Sequence, residues 1–194
     1  MNNKIIVVCG FSGAGKDKIT KYISDNHPYK MIVSTTSRPM RQNESENNPY
    51  HFVTRDEFEE TMRSDEFIEY RQYHTLVNNI PDTWYYGVHK NDVDLSSNSY
   101  IVVLDLLGLM EFKNHFGDNI TSFFIDVDEP ERKRRAMQGR VDFDLTEWNR
   151  RYEDDLKQFP TEVIKKEVDY IVENYNFNKC IQEILEFIVK DVIT

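Results

Sequence analysis

Three glycines and a lysine carry the first recognisable chemistry of this chain. Gly10-Phe11-Ser12-Gly13-Ala14-Gly15-Lys16-Asp17 has the spacing G-x-x-x-x-G-K. Residues without a Cβ let successive backbone N–H groups turn inward around an anion, and Lys16 adds an ammonium among the outer phosphate oxygens. A helix starting at the lysine would aim its positive end at the same charge. The pattern therefore predicts a nucleotide polyphosphate held by Ser12, Gly13, Ala14, Gly15, Lys16, Asp17 and Lys18. Where the motif usually has a Ser or Thr beside Mg²⁺, this chain has Asp17, a hard oxygen ligand able to meet the ion directly or through water.

A second concentration of chemistry is cationic. Ser34-Thr35-Thr36-Ser37-Arg38-Pro39-Met40-Arg41 closes a hydroxyl-rich run with two arginines, and Arg132, Lys133, Arg134, Arg135 and Arg140 crowd a later stretch. Guanidinium forks bind phosphate bidentately. The formal net charge is nevertheless −10, which argues against a general nucleic-acid binder, since such proteins need a basic face to displace counterions. Concentrated arginines on an acidic protein point to a small anionic ligand bound locally.

The elements that must position these groups follow from periodicity. Ile5–Cys9 reads as a buried strand before the glycine loop, and Ile19, Tyr22 and Ile23 as the inner face of the helix after it. His27-Pro28 breaks the pattern before a short strand at Met31–Val33. A strand at Tyr50–Val53 precedes Thr54 and Glu57, a capping box for a helix through Phe58 and Met62. Tyr100–Asp105 and Thr121–Val127 read as apolar strands, with Asp105 at a carboxyl edge where open α/β sheets bind ligands. A helix spans Leu106–Phe116 and ends at Gly117, and another runs from Pro130 to Gln138. Asp144 and Glu147 form a second capping box, followed by an apolar stripe at Leu145, Trp148, Tyr152 and Leu156. Arg132 and Lys133 are expected on a solvated helix face. Val168–Asn174 is a last strand, and Ile181, Ile184, Leu185 and Ile188 mark the packing side of a closing helix.

Strands alternating with helices over 194 residues predict one parallel α/β domain. Cys9 and Cys180 have neither metal-ligand nor disulfide-framework spacing and read as buried thiols. No apolar run is long enough to span a membrane, and Met1–Lys4 leads straight into the first strand, so a cytoplasmic location is expected.

The blocks Ser34–Arg41, Tyr50–Val53, Glu66-Phe67-Ile68-Glu69-Tyr70 and Tyr85-Tyr86-Gly87, combined with the glycine loop, resemble the guanylate kinase family along nearly the whole chain. The resemblance implies a parallel-sheet P-loop NTPase core (1–33, 96–130 and 160–194), an inserted nucleoside monophosphate-binding subdomain (about 34–95) and a helical lid (about 131–159). It implies phosphorylation of GMP or dGMP by ATP with Mg²⁺, in a monomer or homodimer without nucleic-acid or membrane partners.

By the same resemblance Arg38, Arg41, Tyr50 and Tyr86 would hold the GMP phosphate, and Ser34, Glu69 and Asp105 would read guanine. Carboxylates with a hydroxyl are complementary to its N1–H, N2–H₂ and O6 groups. Arg140 and Arg151, with Arg135 offset by one residue, would close over the phosphates beside Lys16 and Arg38. Asn174 would lie near the adenine. Asp17 and Asp105 would support the metal, Asp105 being open to either role.

The chain departs from the family in two further places. Val88 stands where a hydroxyl residue helps read O6, and about eight extra residues within His74–Thr83 suit a surface loop. The alternatives are a kinase of this fold acting on another nucleoside monophosphate or small phosphate, and a catalytically silent binding module.

Overall fold

A computed structural model describes residues 3–40, 44–46, 50–77, 80–139 and 143–193. The chain divides into two compact units, Met1–Met31 with Ser97–Thr194, and Ile32–Ser96.

The first unit is built on a five-stranded sheet of β1 (Ile5–Cys9), β2 (Tyr29–Met31), β7 (Ser99–Val103), β8 (Ile120–Asp126) and β9 (Tyr170–Glu173). Its order is β2-β7-β1-β8-β9 and every pairing is parallel. All five residues of β1 and the first six of β8 are buried. Parallel strands covered on both faces are mostly apolar, and the buried Ser122 of β8 donates both its N–H and its hydroxyl to Asp169. Ile6, Val8, Ile101, Phe123, Ile125 and Val172 form one core with α1 (Lys16–Asn26) and α7 (Phe177–Ile193), which contribute Ile19, Ile23, Cys180, Ile181, Ile184 and Ile188. Leu106, Leu109 and Phe112 of α3 (Leu106–Phe116) are also buried. Gly117 ends α3 at φ 56°, a left-handed turn most side chains resist. The remaining helices of this unit are α4 (Glu129–Gly139), α5 (Leu145–Gln158) and α6 (Thr161–Glu167).

The second unit carries β3 (Thr35–Thr36), β4 (His51–Phe52), β5 (Phe67–Val77) and β6 (Ile80–His89) in the order β4-β3-β6-β5. Its helix α2 (Arg55–Arg63) starts at the predicted capping box, with Thr54 and Glu57 bonded reciprocally. Phe58 of that helix stacks on Phe67 and Tyr85 with ring centroids 4.4 and 5.3 Å away. These rings make the small core that keeps the sheet in place.

Several expectations are corrected. The strand expected at Met31–Val33 is β2 at Tyr29–Met31, because pairing with β7 stops at Met31. The extra residues expected as a surface loop lengthen the β5–β6 hairpin, whose register runs to Val77 opposite Ile80. Asp144 caps α5 through the Thr146 N–H, but Glu147 turns to Arg150 and Arg151, so the second capping box is not reciprocal. Only Trp148 and Tyr152 of the expected stripe turn inward, Leu145 and Leu156 each being half exposed.

Candidate active site

The glycine loop joins β1 to α1 with no side chain capping the helix N-terminus. The first N–H groups of α1 thus lack a side-chain partner and suit an anion. Gly15 occupies the N-cap position at φ 94°, and a Cβ there would lie 2.7 Å from Asn174 Nδ2. A Cβ on Gly10, at φ 148°, would lie 2.8 Å from the Ile125 carbonyl oxygen. Only glycine satisfies both the dihedral and the crowding.

Lys16 Nζ donates to the Gly10 and Phe11 carbonyls at 2.7 and 3.0 Å, so the ammonium is held across the loop. Burial pushes its pKa below the ordinary 10.5, against the pull of Asp17 and Asp155. Asn174 is buried and donates through Nδ2 to the Ala14 carbonyl at 2.8 Å. Its own carbonyl accepts from Arg135 NH2 at 2.5 Å. Asp17 and Lys18 lie exposed in the first turn of α1. Asp105 caps α3 by accepting the Gly108 N–H at 2.7 Å, and its carbonyl faces the Cys9 thiol.

Two side chains that sequence reasoning left out fasten the loop. Asp155 of α5 accepts the Ser12 N–H at 2.6 Å and the Ser12 hydroxyl at 3.1 Å. Arg132 of α4, expected in solvent, is 3% exposed. It donates to the Ser12 and Val127 carbonyls, ion-pairs with Asp155 at 3.6 Å and lies over the Phe11 ring. The Ser12 peptide groups are therefore gripped on both the donor and the acceptor side. The basic cluster around Arg132 was a signal of function; nothing near Asp155 in the sequence marked it.

In the second unit Arg38 is 3% exposed and makes a bidentate pair with Glu44 at 2.8 and 3.0 Å. Burial opposes its charge, but hydrogen bonds with Glu44 and Tyr86 outweigh burial and hold the pKa above its ordinary value. Its guanidinium stands 5.5 Å from the Tyr50 ring, which meets Tyr86 edge-on. Arg38, Tyr50 and Tyr86 are thus brought together, with Glu44 an unforeseen fourth member. Thr36 supports the turn by accepting the Arg38 N–H and donating to the Tyr85 carbonyl. Ser34 is half-buried at the start of this run and its carbonyl accepts the His51 N–H. Glu69 is 7% exposed and follows a register shift in β5, which re-aims the side chain. Val88, opposite it, is fully buried.

Arg151 bonds Glu147 at 2.7 Å on α5. Arg41 and Arg140 lie outside the described residues.

A five-stranded parallel sheet with a glycine loop between its central strand and a helix defines a phosphate-loop nucleotide-binding protein of the P-loop NTPase fold. The guanylate kinase family model matches residues 2–191. The chain is 31% identical over 139 residues to the guanylate kinase of Fusobacterium nucleatum, covering 70% of each. It is 27% identical over 202 residues to that of Francisella tularensis subsp. holarctica, covering 99% of each. The crystal structure of guanylate kinase from Anaplasma phagocytophilum superposes with a TM-score of 0.69 at 21% identity, covering 98% of this chain and 86% of that one. The chain belongs to the guanylate kinase family.

Proposed function

We propose that this chain transfers the γ-phosphoryl group of ATP to GMP or dGMP, giving ADP and the corresponding diphosphate, GDP or dGDP. The observation that carries the reading is the glycine loop with Lys16 laid across it, in a chain matched by the family model over residues 2–191. Loop N–H groups and Lys16, with Ser12, Gly13, Ala14, Gly15, Asp17 and Lys18, receive the ATP phosphates. Asn174 braces the loop at Ala14 and borders the adenine. Arg38, Tyr50 and Tyr86, joined by Arg41, hold the acceptor phosphate, while Ser34, Glu69 and Asp105 read guanine.

An acceptor phosphate oxygen attacks the γ-phosphorus as the bond to the β–γ bridging oxygen breaks, and the electron pair leaves with ADP. No base is required because the acceptor is already an anion. Charge spread over the moving group is met by Lys16, Arg38, Arg140 and Arg151. Lid closure over the phosphates, by residues of about 131–159, would exclude water.

Magnesium fits as a companion of ATP. Among the described residues no three His, Cys, Asp or Glu side chains gather to hold a metal by themselves. Mg²⁺ commonly takes one or two carboxylates and completes its shell with phosphate oxygens and water. Asp17 and Asp105 are the carboxylates that would hold it, and the bound ion would neutralise phosphate charge. No helix among the described residues is long and apolar enough to cross a membrane.

A coupled assay of ADP release across GMP, dGMP, AMP, CMP and UMP tests the reading. GMP or dGMP is expected to give the highest kcat/KM, and absence of any guanine preference would overturn it. Lys16→Ala should abolish turnover, which a purely binding role would not require.

A further inference from the structure

The base-reading face of the β5–β6 hairpin carries a guanidinium that the sequence reading gave no role. Strand neighbours two apart point to the same side, and residues directly opposite on paired strands share a face. Glu69 stands opposite Val88, Arg71 opposite Tyr86, and Tyr73 opposite Trp84. Glu69, Arg71 and Tyr73 therefore form one row facing Val88, Tyr86 and Trp84. The edge-on contact of Tyr73 with Tyr86 at 5.4 Å agrees with that placement. Arg71 sits between the carboxylate assigned to the base and the tyrosine assigned to the phosphate.

Its geometry is defined. Arg71 NH1 lies 3.7 Å from Glu69 Oε2 and donates to the Tyr70 carbonyl at 2.5 Å. The side chain is only 21% exposed, which keeps the charge close to the strand.

Guanine presents two donors, N2–H₂ and N1–H, and then the O6 acceptor along one edge. A carboxylate answers the two donors and leaves O6 to be met by a donor alongside. Val88 carries no donor and is fully buried. A guanidinium is the side chain that pairs best with guanine O6 and N7.

We infer that Arg71 is a specificity-determining residue that donates to O6 of the acceptor base, completing with Glu69 a paired acceptor-and-donor reader. The inference rests on the GMP reading above. Adenine would set its 6-amino donor against the guanidinium and its unprotonated N1 against the carboxylate, leaving both sides mismatched.

The test measures kcat/KM for GMP, for IMP, which lacks the 2-amino group, and for 2-aminopurine riboside 5′-monophosphate, which lacks O6. Arg71→Met is expected to lower the GMP to 2-aminopurine ratio about 10-fold while leaving the GMP to IMP ratio within about 2-fold. Arg71→Lys, which restores a cationic donor, should recover part of the discrimination. It also provides a folded comparison should the methionine variant lose stability. If both ratios fall together in both variants, Arg71 merely orients Glu69 and the inference is overturned. Unchanged ratios in both variants overturn it as well. Failure of the wild-type chain to phosphorylate GMP would instead strike the proposed function, before any variant is compared.

Discussion

In the proposed sites the two compact units would hold anions by different physical means. The first uses backbone: N–H groups of a glycine loop, fixed by a buried strand, three positive-φ glycines and the grip of Asp155 and Arg132 on Ser12. The second uses side chains, and their charges are already paired within the unit, Arg38 with Glu44 and Arg71 with Glu69. Backbone groups suit a ligand part common to every nucleotide, since their geometry depends little on side-chain identity. Paired side chains suit discrimination, because a ligand that fails to match them leaves polar groups unsatisfied.

That contrast can be broken by substitution. The largest expected effect is at Lys16, where Lys16→Met should lower kcat about 10³-fold in a coupled assay, in the range seen when a transition-state donor is removed. GMP binding followed by calorimetry should persist. Arg38→Met comes next and should fall on the other substrate, lowering kcat/KM for GMP about 10²-fold with a small change in KM for ATP. It should also cost about 3–5 kcal/mol of stability in denaturant titration, because Glu44 is left largely buried without its cation. Asp155→Ala frees the Ser12 N–H and hydroxyl, and is expected to raise KM for ATP about 10-fold with KM for GMP unchanged.

The two sites should also respond differently to pH. Lys16 titrates below 10.5 and must be charged to meet phosphate. Log kcat/KM for ATP should therefore bend downward before pH 10.5 as the ammonium loses its proton. Arg38 is held above its ordinary value and stays charged throughout, so binding of GMP should show no matching bend. The smallest effect belongs to the exposed pairs of α5. Glu147 is drawn down to about 2 by hydrogen bonds from Arg150 and Arg151. Its folded pKa is depressed, so its stabilisation is present above the ordinary 4.5 and fades as pH falls through about 2. Glu147→Gln should shift stability at neutral pH by no more than about 0.5 kcal/mol.

The parts read correctly from sequence were those whose cause is local. A glycine loop between an apolar run and an amphipathic helix carries its structure in its own residues, as does the Thr54–Glu57 capping box. The misread parts depend on partners far along the chain. Arg132 looked like a solvated cation because its neighbours are charged, yet the Ser12 carbonyl and the Phe11 ring enclose it. Asp155 is one carboxylate among several on α5, and only folding brings it to the loop. The hairpin extension did have a trace, an Asn-Asn pair between Val77 and Ile80, which is a turn signal flanked by strand formers. Its reading as a surface loop followed from length alone. Arg71 was overlooked because its meaning lies in strand register, where it stands beside Glu69 and opposite Tyr86.

Phosphorus NMR of the purified chain with MgATP and GMP tests direct transfer between the two nucleotides. The ATP γ-resonance and the GMP resonance should fall together as the resonances of ADP and GDP rise in equal amounts. Release of inorganic phosphate instead of GDP, or a spectrum unchanged by GMP, would contradict it.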